Sequence, residues 1–435
     1  MTPDELEKNR RNLVAALRAD IEPLRAQAER RKHWLHERLN NLLPELMRRE
    51  NLDCWIVVAR EYNEDPVIMT LLPAPAMSAR RRTILLFLRK PDGQVWCLAL
   101  DRYGYRDFYE PAWDPEQEEQ FACLGRLLRE HDPQRIGLNI AADFAFGDGL
   151  SHNEYEQLAS ALGPELMERT CSAERLAVGW LERRLPAEIE FYPCLAEFGH
   201  RIIAAAFSND AVIPGQTSAD DLVWWMRQTM HDAGLQAWFQ PTIDIQAPGH
   251  PFNLEGEKRR LIQPGDLLHC DMGFLYLGLA SDQQQNAYVL RPGEHVAPPG
   301  LRAALAAGNR LQDILLEEMH VGRNGNQVLL AALERARTEG ITPSIYSHPL
   351  GYHGHAAGPP IGLWDYQDGV PGRGDYPLFD DTCYSIELNI RAPVAEWDGQ
   401  EVRIALEEDA TLTQGRMHWM HSRQTEFYLI HPAAV

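Results

Sequence analysis

Three things this sequence lacks narrow the problem before any motif is read: a CxxC pair, a run of about 18 uncharged apolar residues, and an excess of basic side chains. Its seven cysteines are scattered, and Cys54 in "DCWIVVA" and Cys97 in "VWCLAL" lie inside apolar runs. Reduced, buried thiols are therefore expected, and thiolate zinc sites are not. With no long apolar run, no membrane-spanning helix is expected. The N-terminal stretch "MTPDELEKNRRNL" is charged with no apolar segment behind it, so the expected location is the cytoplasm. Lys and Arg number 42 against 63 Asp and Glu, a net charge of -21. That balance disfavours phosphate backbones and anionic membranes, and neither nucleic acid nor membrane is an expected partner.

What is present reads as a globular chain of 435 residues, long enough for about two or three domains. The first fifty residues are helical by composition with a break at Pro23, and Leu35, Leu39, Leu42 and Leu46 share one face. "DCWIVVA" reads as a strand. "RRTILLFLRKPDGQVWCLAL" reads as two strands turning at Pro91-Asp92-Gly93, and "RIGLNI" as another. An N-terminal α/β domain is thus expected over 1–172. A charged, helical connector from Cys171 to Pro186 leads into a second domain, 173–435. There one order of elements occurs twice: helices at Glu188–Ser208 and Ser218–Ala233 followed by strands, then helices at Leu301–Met319 and Asn326–Glu339 followed by strands. The second helix opens with "TSAD", a capping-box spacing. Two such halves imply a sheet with helices on one side and the other side free for a site.

The strands of this second half alternate in a way that concentrates polar groups. In "YSIELNI" the residues Ser385, Glu387, Asn389 and Arg391 oppose the apolar face; in "VRIALEED" the set is Arg403, Ala405 and Glu407; in "LLHCDMGF" it is His269, Asp271 and Gly273. "CDMGFLYLGLASD" is apolar and β-prone yet closed at each end by an aspartate, Asp271 and Asp282. If Phe274–Leu279 holds a hairpin turn, an in-register pairing sets the two carboxylates directly opposite, with Cβ atoms roughly 4.5–5.5 Å apart. Such a pair must share a cation or a proton at neutral pH. The Gly- and Pro-rich "SHPLGYHGHAAGPP" adds His348, His353 and His355. Asp271, Asp282, His348, Glu387 and Glu407 together give four carboxylates and one imidazole, the inventory of a two-metal hydrolase.

These segments resemble the creatinase, aminopeptidase P and prolidase family of pita-bread metallopeptidases, whose site is built from Asp, Asp, His, Glu and Glu in that chain order. "CDMGFLYLGLASD" keeps the family's Asp-x-Gly start and its second Asp eleven residues on. "SHPLG" with His355 keeps its His-x-x-Gly-x-x-x-His pattern, "SIELNI" is similar to its Thr-Ile-Glu-Pro-Gly-Ile segment, and "LEEDATLT" to its Ile-Glu-Asp-Asp stretch. The resemblance runs from about Glu188 to Leu429, and the preceding α/β domain suits its two-domain members. It implies an α/β (α+β) chain whose C-terminal pita-bread domain has duplicated halves and a curved antiparallel sheet. It further implies two divalent ions, Mn²⁺ foremost with Zn²⁺, Co²⁺ or Fe²⁺ as alternatives. Asp271 would chelate one ion, His348 and Glu387 would hold the other, and Asp282 and Glu407 would bridge both. The implied reaction is hydrolysis of an Xaa-Pro peptide bond by a metal-bridging hydroxide, with Glu387 as proton shuttle and His355 donating to the developing oxyanion. His250, His353, Arg391 and Arg403 are the candidates for holding substrate.

Two positions depart from the family pattern. Where members often carry an Arg two residues before the last ligand and a His four before the metal-binding His, this chain has Ala405 and Ser344. The expectation is Xaa-Pro cleavage with little discrimination between dipeptides and longer peptides, by a homodimer acting on small peptides. The competing readings are a metal-free relative serving as a binding module, and a hydrolase of a small amidino or phosphotriester substrate on the same fold.

Overall fold

The structure, a computed structural model, describes residues 2–105, 107–252 and 260–432. The chain forms two compact units, Pro23–Leu185 and a larger one made of Met1–Glu22 with Pro186–Val435.

The smaller unit is built on a six-stranded sheet. Cys54–Arg60 runs antiparallel to Arg82–Arg89, which returns through the turn at Pro91-Asp92-Gly93 to Val95–Leu100; on the other flank Ile136–Leu138 and Thr170–Ser172 run parallel. Six of the seven residues of Cys54–Arg60 are buried, as a near-continuous apolar strand should be when both faces are covered. Helices Gln120–His131 and His152–Met167 contribute Phe121, Leu124, Leu128, Leu158 and Leu162 to the core on one face. Leu35, Leu39, Leu42 and Leu46 are all buried, as their shared face requires. The charged segment after Cys171 is not a free connector. Its helix Glu174–Glu182 buries Val178, Trp180 and Leu181, and the Arg38 guanidinium donates to the Trp180 and Arg183 carbonyls, so this unit extends to Leu185.

The larger unit begins with α1 (Pro3–Asp20), which buries Val14 and Leu17 and is tied by Arg10 Nη1 to Asp232 at 2.7 Å. Helices α2 (Pro186–Ala206) and α3 (Ala219–Ala233) precede β1 (Thr242–Gln246), β2 (Leu267–Tyr276) and β3 (Leu279–Val289). Ser218 caps α3 and Asp221 closes the capping box, one residue later than the Thr217-to-Asp220 spacing within "TSAD". Helices α4 (Pro299–Glu318) and α5 (Gly325–Thr338) precede β4 (Thr342–Ile345), β5 (His348–Leu350), β6 (Thr382–Ser385), β7 (Leu388–Val394), β8 (Gln400–Leu406), β9 (Asp409–Thr413), β10 (Arg416–Trp419) and β11 (Tyr428–Ile430). The doubled order of elements is therefore real.

The strands form three sheets, antiparallel throughout except where β3 pairs parallel with β11. The segment "YSIELNI" is not one strand: β6 pairs with β5 and β9 in one sheet, β7 with β4 and β8 in another, and the chain changes sheet at Ile386-Glu387. "VRIALEED" likewise changes sheet at Glu407-Glu408. Reciprocal N–H···O bonds between Gln284 and Glu407, 3.0 and 3.1 Å, tie β3 to this crossing. Both glutamates thus sit where the sheets meet, a place that needs residues able to leave a ladder.

The β2–β3 hairpin corrects the expected opposition of the aspartates. Its two-residue turn is Leu277-Gly278, both at positive φ (57° and 81°), one residue later than direct opposition requires. Asp271 therefore pairs with Gln284, and Asp282 with Gly273. The register is displaced by two residues, an even number, so the aspartates keep one face and stand diagonally.

Candidate metal centre

Five side chains converge at the crossing. The imidazole Nε2 of His348 lies 3.3 Å from Glu407 Oε1, 3.5 Å from Asp282 Oδ2 and 3.9 Å from Glu387 Oε2. Two triads, Asp271–Asp282–Glu407 and His348–Glu387–Glu407, each bring their ligand atoms within 4.8 Å of one another and share Glu407. His348 Nδ1 donates to the Pro349 carbonyl at 2.9 Å, which leaves the Nε2 lone pair aimed at the carboxylates. Asp271 Oδ1, Asp282 Oδ1 and His348 Nε2 are buried and have no hydrogen-bond partner. Unmet acceptors of this kind, on two carboxylates and one imidazole in a set of four carboxylates and one imidazole, match the ligand chemistry of a hard divalent cation.

The ligand residues are also held from behind. Ser385 Oγ donates to Glu407 Oε1 at 2.5 Å, Ser347 Oγ accepts from the Glu387 N–H at 2.9 Å, and Asp409 Oδ1 accepts from the Asp282 N–H at 3.1 Å. Gln284 Nε2 donates to both Glu387 Oε1 (2.5 Å) and Glu407 Oε2 (2.7 Å), while its Oε1 faces His269 Nε2 at 2.9 Å. His269 Nδ1 in turn faces Asp244 at 3.2 Å. Gln284 was not singled out from the sequence. The signal was there, since it follows Asp282 by two and a strand's period places it on the same face.

His355 joins Asp282 and His348 in a third triad of ligand atoms. Its ring stands edge-on to His348, centroids 4.7 Å apart, and lies 5.2 Å from the Trp238 ring. Trp238 explains two glycines. A Cβ at Gly273 or Gly354 would meet its indole at 2.2 or 2.1 Å, so the Gly of Asp-x-Gly is the space into which the tryptophan fits.

A hollow of about 360 Å³ opens beside the cluster, lined among others by Phe252, His269, Tyr346, Asn389, Arg391 and Arg403. Arg403 donates to the Tyr346 hydroxyl at 2.9 Å and lies over the Phe252 ring; the more exposed Arg391 pairs with Glu401 at 3.2 Å. His250 is exposed and bridges to Ala247, and His353 lies in the turn carrying His355; neither is among the residues lining the hollow. Ala405 is buried, and Ser344 lines the hollow.

The electrostatics are those of crowded anions. Burial first, and then the charge of Glu407, pushes Asp271, Asp282 and Glu387 well above the usual carboxylate range. Burial alone would lower His348, but the hydrogen bond and charge of Glu407, with the charge of Glu387, push it up to about 9. Burial, and then the charge of His348, holds His355 down to about 4. The pH dependence of the chelated protein follows. For the three carboxylates the folded state binds more protons than the unfolded one from about pH 4 upward, so their raised pKa values make stability fall as pH rises. The contribution of His348 has the same sign, present in full below about 6.5 and lost as pH rises through about 9. His355, between about 4 and 6.5, acts the other way. We expect the melting temperature of EDTA-treated protein to drop from pH 5 to pH 9 and its deficit against metal-loaded protein to widen. Melting curves in both states across that range test this, and a deficit that is constant or absent would contradict it.

Comparison with solved structures defines the class by fold. The X-Pro aminopeptidase from Thermotoga maritima MSB8 superposes with a TM-score of 0.63 at 15% identity, covering 88% of this chain and 99% of that one. The Xaa-Pro dipeptidase from Bacillus anthracis gives 0.56 at 15% identity, covering 92% and 99%. The N-terminal domain of FACT complex subunit SPT16 from Cicer arietinum (chickpea) gives 0.56 at 12% identity, covering 92% and 99%. At these identities the likeness is one of fold, the pita-bread architecture with its preceding domain. No curated protein matches the chain. The model of metallopeptidase family M24 matches residues 195–414, just over half of the sequence, and the chain belongs to that family. Among the described residues no helix is long and apolar enough to cross a membrane.

Proposed function

We propose that the chain is a dinuclear metal-dependent exopeptidase that cleaves Xaa-Pro bonds. The observation that carries this reading is the pair of ligand triads sharing Glu407, with buried acceptors left unmet in both. Asp271, Asp282 and Glu407 would hold one divalent ion, His348, Glu387, Asp282 and Glu407 the other, with Mn²⁺ the best match to so oxygen-rich a set. Bound there, two such ions supply a nucleophilic water at neutral pH and polarise the scissile carbonyl. The chain's own groups do the rest. Glu387 accepts the proton of the attacking water and passes it to the leaving nitrogen. His355, at the rim of the cluster, donates to the oxyanion, and Trp238 holds its ring in place. Arg403 offers a positive charge to a substrate carboxylate from the same strand face as Glu407, four residues away. It thereby stands in for the arginine that Ala405 lacks. Phe252 supplies an apolar surface beside it for the proline ring, which has no N–H to satisfy and a fixed φ. In this reading small peptides are the ligand, the protein works in the cytoplasm, and two copies assemble.

The likeness to the SPT16 domain favours one alternative, a binding module on the same fold without chemistry. A substrate panel separates them: Mn²⁺-loaded protein against Xaa-Pro, Xaa-Pro-Yaa and Xaa-Ala, with Arg403→Ala alongside. We expect cleavage of both proline series and not of Xaa-Ala. Arg403→Ala should raise KM for Xaa-Pro about tenfold, the loss of a charge-assisted hydrogen bond of about 1.4 kcal/mol, with less effect on Xaa-Pro-amide. Equal rates on Xaa-Ala would overturn the proline preference. No turnover at confirmed metal occupancy would favour the binding module.

A further inference from the structure

Away from the carboxylate cluster, a second constellation is built at the C-terminal part of α2. Glu408 and Gln285 each follow a residue that faces the cluster, Glu407 and Gln284, and so point the other way. Glu408 is 1% exposed and held by donors on both oxygens: Oε1 accepts from Gln285 Nε2 at 2.6 Å and from the Gln424 N–H at 3.1 Å, and Oε2 faces His200 Nε2 at 2.6 Å. Gln285 is itself fixed by the Tyr428 hydroxyl at 2.9 Å. With its Nε2–H given to Glu408, His200 presents a bare Nδ1. That nitrogen lies 3.0 Å from His421 Nδ1, and Ser422 Oγ stands 2.9 Å from His421 Nδ1 and 3.3 Å from His200 Nδ1.

We propose that His200 and His421, with Ser422 and solvent, form a mononuclear site for a divalent ion of the zinc class, separate from the carboxylate cluster. Three observations carry it. The three atoms form a triangle with sides of 3.0, 2.9 and 3.3 Å, and the edge of a tetrahedron with metal–ligand bonds of about 2.0–2.1 Å is about 3.3–3.4 Å, so a slight outward spreading of the side chains seats an ion above the triangle. The donor set is imidazole-rich, which selects zinc, nickel or copper over manganese or magnesium, the opposite of the cluster at Glu407. A buried carboxylate stands behind His200, the arrangement that orients a metal-bound imidazole and raises its basicity. The ion would tie α2 to the segment after β10. That segment carries Gln424, whose Oε1 accepts from the Asn286 N–H on β3, the strand of Asp282.

The test is the ion count of full-length protein exposed to excess Zn²⁺ and desalted, compared with His421→Ala and His200→Gln, with anomalous scattering at the zinc edge to locate the ions. His421 is exposed, so its truncation leaves the fold intact. We expect each variant to bind about one ion fewer than the parent, and a peak between His200 and His421. The difference is read whatever the carboxylate cluster holds, so failure of the dinuclear reading would change all counts together and leave this comparison standing. Equal counts in parent and His421→Ala, or zinc found only at the carboxylates, would overturn the proposal. In that case the two imidazoles merely share a hydrogen bond.

Discussion

Glu407→Ala should abolish peptidase activity, by at least about three orders of magnitude or about 4 kcal/mol of transition-state stabilisation, and should lose both metal ions rather than one. The argument is geometric. Glu407 is shared by the Asp271–Asp282–Glu407 and His348–Glu387–Glu407 triads, so its removal takes a ligand from each, whereas Asp271→Ala or His348→Ala would strip one. Folding should survive. Glu407 is the neighbour whose charge most raises Asp271, Asp282 and Glu387, so the variant removes repulsion from a buried site even as it leaves a small void. Metal-free Glu407→Ala should therefore melt no lower than metal-free parent by more than the cost of that void and of the Ser385 and Gln284 donors it leaves unpaired, and a collapse of the fold would show that the carboxylate carries structure instead.

The second large effect is expected at His355. His355→Ala should lower kcat about 10²–10³-fold, equivalent to about 2.7–4 kcal/mol, with KM little changed and both ions retained. His355 sits within ligand distance of Asp282 and His348 but belongs to neither of the triads that share Glu407. Burial and the charge of His348 lower its pKa in the metal-free protein to about 4, although the residue is exposed at the rim of the cluster. An enzyme unchanged in kcat would remove this histidine from the mechanism, and one that had lost metal would make it a ligand. Single-turnover rates with parallel metal analysis decide between these.

Much of the fold was readable because periodicity and capping are local. The face of Leu35, Leu39, Leu42 and Leu46, the box at Ser218-Asp221, and the polar faces of His269-Asp271 and Arg403-Glu407 all follow from side-chain direction along one element. What was not readable depends on how elements meet. The placement of the turn at Leu277-Gly278, one residue beyond the position for direct opposition, rests on which two residues take positive φ, and Leu277 gives no hint of it. The change of sheet at Glu387 and again at Glu407 breaks no alternation, so each segment reads as one strand. Charge misled at Glu174–Glu182, where the charged ends read as a connector although Leu176, Val178, Trp180 and Leu181 between them are buried. Gln284 escaped notice because an amide carries no charge to flag it, although it touches two of the carboxylates that matter most.

The central claim is that four carboxylates and His348 are arranged for two cations. The measurement that tests it most directly is elemental analysis of Mn²⁺-loaded parent and Glu407→Ala, with anomalous scattering to place the ions in the parent. About two ions per chain in the parent, both within bonding distance of Asp282 and Glu407, and none in the variant, is the predicted result. One ion or none in fully loaded parent, or ions remote from Asp282, would contradict it.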